Sequence, residues 1–133
     1  MKKDNVSIVI IDDDRTNNII CENMLKKLRI SQDITSFQSI EEGLAFLENS
    51  FRKGLFPDVI FLDLRFPESD KDAWYFLEIY PKLLAQYPQA KTLLYVLTSS
   101  IAKKDMKRVE NYSFVHGFIS KPLSEEKLAK FFL

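Results

Sequence analysis

Four apolar residues in a row, Val59-Ile60-Phe61-Leu62, run directly into a carboxylate at Asp63, with Leu64 behind it. The run is too short for a helix and rich in β-branched and aromatic side chains, so it reads as a strand buried on both faces. Such a strand calls for parallel neighbours and for helices above and below it. Asp63 then stands at a strand's carboxyl end, the edge of an open α/β sheet where ligands bind. Taken alone, an Asp in that position is more often a turn former or a helix cap. What the other strands carry at the same edge decides between the two readings.

Strand and helix patterns alternate through the rest of the chain. Residues 6–11 are an apolar run with one Ser, a buried strand. Residues 16–28 follow with apolar positions at Ile20, Met24 and Leu28 and with Lys26, Lys27 and Arg29 near their end, an amphipathic helix. Residues 34–37 are a weaker strand, and Ser39 with Glu42 forms a capping box that opens a helix through Leu44 and Leu47 to a stop near Gly54. Beyond the central strand, residues 73–87 carry a helical pattern that Pro81 should kink or divide in two, because proline lacks the backbone donor. A fourth strand over 92–97, a short polar helix over 103–111 and a fifth strand over 114–119 come next. Ser124-Glu125-Glu126 starts a last helix through Leu128, Phe131 and Phe132. Five strand–helix units demand a parallel sheet with helices on both faces, since each right-handed crossover lays its helix on the sheet. The expected fold is therefore α/β: a flavodoxin-like, doubly wound five-stranded parallel sheet in the order 2-1-3-4-5 with five flanking helices.

Composition narrows the function classes. With 133 residues, 46% hydrophobic and 13% aromatic, the chain suits a single domain over 1–133 with no linker. Nineteen basic and nineteen acidic residues cancel, so nothing draws the chain electrostatically to nucleic acid or to an anionic membrane. The lone cysteine, Cys21, lies in a helical pattern beside Ile19, Ile20 and Met24; a disulfide framework is excluded, and a cytoplasmic location suits an unpaired thiol. The first residues are neither a signal peptide nor a membrane span. With glycine only at positions 43, 54 and 117, no dinucleotide-binding or P-loop fingerprint exists.

The strand ends converge on one edge. The first strand ends in Asp12-Asp13-Asp14, the third in Asp63 and the fourth in Thr98-Ser99-Ser100, and the fifth leads to Lys121-Pro122. Several carboxylates in one crevice repel each other unless a cation is present, and a hard oxygen site with few ligands suits Mg²⁺ better than the larger Ca²⁺ cage. A hydroxyl from Thr98 and an ammonium from Lys121 are the groups needed to hold the oxygens of a phosphoryl group attached to Asp63. Each residue has a plainer reading, the Asp triplet as a helix cap, Thr98 as a turn hydroxyl and Lys121 as a solvated charge, but together they describe aspartyl phosphorylation.

At this point the chain resembles the receiver domain of two-component response regulators. The resemblance runs from Ile8-Val9-Ile10-Ile11-Asp12-Asp13 through Val59-Ile60-Phe61-Leu62-Asp63 and Val96-Leu97-Thr98-Ser99 to Phe118-Ile119-Ser120-Lys121-Pro122. It implies that Asp63 is the phosphoacceptor and that Asp12, Asp13, Asp63 and the backbone carbonyl of Arg65 hold Mg²⁺ or Mn²⁺. It further implies that Thr98, Ser99 and Lys121 bind the phosphoryl oxygens, that Thr98 and Phe118 form the switch, and that the Lys121–Pro122 peptide is cis. The implied partners are a histidine kinase or histidine phosphotransfer protein upstream. Downstream, a protein target docks on the face of the fourth helix, fifth strand and fifth helix, with Lys103, Lys104, Lys107, Arg108 and the 114–118 strand. A phosphorylation-dependent homodimer is compatible with it; nucleic acid and membrane are not partners of this domain itself. Self-phosphorylation and self-dephosphorylation at Asp63 are implied rather than conventional enzyme turnover.

Some residues depart from the family pattern. The loop Phe66-Pro67-Glu68-Ser69-Asp70-Lys71-Asp72-Ala73 looks longer than usual, with Ala73 where a Gly is common. Asp70 and Asp72 do not make a calcium loop, because the required Gly is missing and the oxygen spacing fails. Arg65, two residues beyond Asp63, can reach the mouth of the site and tune the phosphoryl lifetime. It also stands where a haloacid dehalogenase-like phosphohydrolase would carry its general acid, which disfavours that rival. A phosphorylation-independent interaction module on the same fold is the alternative reading. His116, with no acid near it in sequence, reads as structural. The last helical pattern ends at Leu133, so the chain is expected either to act as a stand-alone receiver or to be part of a longer protein.

Overall fold

A computed structural model of the protein describes residues 6–66, 70–98 and 103–133. Ser99 and part of the loop after Asp63, both assigned expectations above, lie outside the described residues. Ten elements alternate: β1 (Ser7–Ile11), α1 (Arg15–Lys27), β2 (Asp33–Phe37), α2 (Ile40–Arg52), β3 (Val59–Asp63), α3 (Ala73–Gln86), β4 (Leu93–Thr98), α4 (Lys103–Glu110), β5 (Val115–Ser120) and α5 (Glu125–Phe132). All strand pairs are parallel, and the order is β2-β1-β3-β4-β5. The central strand β3 is buried along its whole length, as its unbroken apolar run requires.

Because successive side chains of a strand point to opposite faces, the sheet separates two cores. Val9 and Ile11 of β1 and Ile60 and Leu62 of β3 pack with Leu44, Leu47 and Phe51 of α2 and with Phe76, Leu77 and Tyr80 of α3. Ile8 and Ile10 of β1 and Val59 and Phe61 of β3 pack on the other side with Cys21 and Leu25 of α1 and with Leu128 and Phe132 of α5. Pro81 does not divide its helix: α3 is one helix of fourteen residues. A proline inside a helix costs about 3 kcal/mol. Burial of Phe76, Leu77 and Tyr80 before it and of Leu83 after it offsets that cost by fastening both halves to the same sheet face.

The approach of α2 to the sheet is set by Gly43. A Cβ there would stand 2.7 Å from Cδ1 and 3.0 Å from Cγ1 of Ile11, inside ordinary contact distance. Replacing Gly43 by Val is expected to lower stability by about 2 kcal/mol through overpacking, measured as a lower urea midpoint with an unchanged slope.

Candidate functional site

The site forms where strands run out of apolar residues. After Ile11 the chain turns at Asp12, whose amide donates to the Phe37 carbonyl at 3.0 Å. Asp14 caps α1, its side chain accepting from the amides of Thr16 and Asn17, and its own amide donates to Asp12 Oδ1 at 2.9 Å. One acid of the triplet is thus the cap, which leaves Asp12 and Asp13 for the crevice. Asp12, like Asp63, continues the strand alternation on the α1/α5 side, after Ile8 and Ile10 in β1 and after Val59 and Phe61 in β3. Both acids are buried, whereas Asp13 is exposed at the rim. Ligand oxygens of Asp12, Asp13 and Asp63 all lie within 4.8 Å of one another.

Lys121 reaches this cluster from the end of β5. Its Nζ lies 2.7 Å from Asp12 Oδ2 and 3.3 Å from Asp63 Oδ2, and its amide donates to the Thr98 carbonyl at 2.8 Å. The Lys121–Pro122 peptide is cis. Thr98, buried at the end of β4, pairs in register with Ser120. Phe118 is half-buried two residues earlier on β5, where it lines a hollow of about 300 Å³ with Val109, Tyr112 and Val115. Arg65 is exposed beside the crevice. Ser99 lies outside the described residues. His116 accepts at Nδ1 from the amide of Leu94 at 3.3 Å, far from the carboxylates in the strand register.

The charges are unbalanced, and the proton affinities respond. Burial, with the negative charge of Asp12 added to it, pushes Asp63 up to about 6, while the Lys121 ammonium and the Arg65 amide pull the other way. Asp13 is raised for the same two reasons, burial first and Asp12 second. For Lys121, burial works against the charged form, but the hydrogen bond to Asp12 and the charges of Asp63 and Asp12 outweigh it and hold its pKa above the ordinary value. One ammonium among three carboxylates leaves an excess of negative charge. Asp63 Oδ1, moreover, is buried and finds no hydrogen-bond partner among the described residues. A buried carboxylate oxygen in that condition, inside an all-oxygen donor set, fits a hard divalent cation such as Mg²⁺.

Two contributors escaped the sequence reading. Asn18 is buried in α1, and its Nδ2 donates to the Asp12 carbonyl at 3.0 Å. Its signal was a polar residue at helical spacing from the apolar Cys21 and Leu25. The second is Lys127, which grips the loop carrying Lys121.

The family model described as response regulator receiver domain matches residues 8–132. The chain belongs to that family. Solved structures agree on the fold. A two-component response regulator from Cytophaga hutchinsonii superimposes with a TM-score of 0.81 at 23% identity, covering 96% of this chain and 94% of that one. A response regulator receiver protein from Dyadobacter fermentans gives 0.79 at 23% identity, with 95% and 94% covered. The chemotaxis protein CheY4 of Vibrio cholerae gives 0.74 at 17% identity, with 96% and 95% covered. No match is found among curated protein sequences. Among the described residues of this receiver domain, no helix is long and apolar enough to cross a membrane.

An acid whose pKa is higher in the folded than in the unfolded state binds its proton more tightly when folded. Asp63 therefore favours the fold at low pH, and that contribution is lost as the pH rises from 3.8 to about 6. With divalent metal removed, Asp63→Asn is expected to be more stable than wild type at about pH 7.5, by on the order of 2 kcal/mol, and equal to it below about pH 4. Urea titrations at the two pH values measure the difference.

Proposed function

We propose that this receiver domain, as a single unit over residues 1–133, accepts a phosphoryl group on Asp63 from a phosphohistidine of a histidine kinase or phosphotransfer protein, and that the acyl phosphate reshapes an output face. The observation that carries this reading is the buried Asp63 at the exit of the central strand, with Asp12, Asp13 and Lys121 gathered around it. A cytoplasmic location belongs to the same reading.

In the transfer, a carboxylate oxygen of Asp63 attacks phosphorus. The bond from phosphorus to the imidazole nitrogen breaks as the bond to Asp63 forms, and the electron pair leaves with the imidazole. Asp12, Asp13, Asp63 and the Arg65 carbonyl are the groups to hold Mg²⁺ or Mn²⁺, which when bound supplies positive charge against the phosphoryl oxygens. Lys121, held at 2.7 Å by Asp12, brings its ammonium to the same oxygens. Since Asp63 is the more weakly held of the two acids at 3.3 Å, Lys121 is already placed to exchange that contact for a phosphoryl oxygen. Thr98 offers its hydroxyl, with Ser99 as a further donor.

Movement of Thr98 toward the phosphoryl group acts on β5 through the pairing with Ser120, and Phe118 has the neighbouring hollow to move into. The downstream target is assigned to the α4–β5–α5 face. On α4, Lys104 and Lys107 are exposed, while Arg108 lays its guanidinium 4.0 Å from the centre of the Trp74 ring on α3 and so ties α4 to its neighbour. A phosphorylation-dependent homodimer through this face is part of the proposal.

Incubation with a small phosphodonor and Mg²⁺ is expected to add the mass of one phosphoryl group to wild type and nothing to Asp63→Ala, and the same pair separates the cognate histidine kinase from others. A wild type that binds Mg²⁺ yet never gains that mass refutes the proposal and leaves a phosphorylation-independent module. Arg65→Asn is expected to change the half-life of the acyl phosphate several-fold; an unchanged decay rate in a phosphate-release assay removes Arg65 from the mechanism.

A further inference from the structure

The loop between β5 and α5 carries the only ammonium in contact with Asp63 among the described residues, and its conformation is gripped from the helix that follows. Lys127 Nζ donates to the Ser120 carbonyl at 2.9 Å, to Ser120 Oγ at 3.1 Å and to the Pro122 carbonyl at 2.9 Å. These three acceptors match the three protons of an ammonium. Two of them are the carbonyls on either side of Lys121 in sequence. The backbone of Lys127 is anchored as well, because its amide donates to Oγ of Ser124, the cap of α5, at 3.1 Å. Residues 120–124 are thereby closed into a ring, and Lys121 projects from it toward Asp12 and Asp63.

Nothing else described holds the loop so completely. The Lys121 amide bonds the Thr98 carbonyl, which pins one point, but one hydrogen bond leaves the rest of the loop free to pivot about it. A flexible lysine has four side-chain torsions to immobilise, so any play at its Cα adds to the spread of positions at Nζ. Charge-assisted bonds are stronger than neutral ones, and although this ammonium is exposed, three such bonds on one atom, two to carbonyls and one to a hydroxyl, restrict both translation and rotation.

We infer that Lys127 is a positioning residue for phosphoryl acceptance: it holds the loop that delivers the Lys121 ammonium to Asp63. The inference rests on the reading of Asp63 as phosphoacceptor. It assigns to α5, commonly read as an output element, a part in the chemistry.

The test is a double-mutant cycle in the full chain, following phosphorylation by a small phosphodonor in Mg²⁺. Lys127→Met, which keeps the aliphatic stem and removes the donors, is expected to slow phosphorylation about tenfold, less than the roughly hundredfold that a misplacement of about 1 Å can cost, because the Lys121 amide still bonds the Thr98 carbonyl. Calorimetric Mg²⁺ affinity should stay within about twofold, since the metal's candidate ligands are carboxylates and a carbonyl. In a Lys121→Ala background the same change should cost nothing further, and Lys127→Arg, which restores donors, should recover most of the rate. Equal losses from Lys127→Met with and without Lys121 overturn the inference and make Lys127 a general stabiliser; a wild-type rate in Lys127→Met overturns it as well. A wild type that accepts no phosphoryl group defeats the phosphoacceptor reading instead, and so is distinguishable.

Discussion

Everything at the functional edge depends on Lys121, among the described residues the one cation in contact with the buried acids. Two buried carboxylates with a third at the rim would be an unfavourable grouping on their own, since each charge raises the cost of ionising the next. At 2.7 Å from Asp12 and 3.3 Å from Asp63, the ammonium offsets part of that cost. It does not offset all of it. The remainder shows in the raised pKa values of Asp63 and Asp13 and in the Asp63 oxygen that has no partner among the described residues. A site with that excess of negative charge and an all-oxygen donor set favours a hard divalent cation.

Around that centre the fold supplies direction. The sheet's alternation sends Asp12 and Asp63 to one side of the switch point between β1 and β3, and the chain needs no distortion to bring them together. Asp14 settles the start of α1, and Asn18, one turn on, fastens the Asp12 carbonyl from inside the helix. The acid that caps and the acids that face the crevice are consecutive in sequence, and their roles separate only because the backbone turns between them.

Much of this was legible in the residues. The five strand–helix units followed from the placing of apolar runs and the strand order from the doubly wound architecture natural to five such units, and the central strand was plain because both of its faces are buried and no polar residue interrupts it. The convergence of Asp12, Asp13, Asp63 and Lys121 followed from their all standing at strand ends. What escaped notice was of a different kind. Pro81 was read for its local effect, whereas the packing of Phe76, Leu77, Tyr80 and Leu83 on the sheet outweighs it. Lys127 carries no signal in the last helical pattern, because two of its three acceptors are backbone carbonyls, which have no signature in sequence. Asn18 could have been found, as a polar residue facing the sheet; Arg108 on Trp74 could not, since the two belong to different helices.

The partition of the interior by the sheet has an implication of its own. Leu128 and Phe132 never meet Phe76 or Tyr80, so volume changes on one side are not transmitted by direct contact to the other. The helices above these cores, α1 with α5 and α2 with α3, can consequently be repacked independently of one another. The two flanks are not equal in this respect, because Asn18 on α1 and Lys127 on α5 bond the backbone at the strand ends, so repacking on that side must spare both contacts.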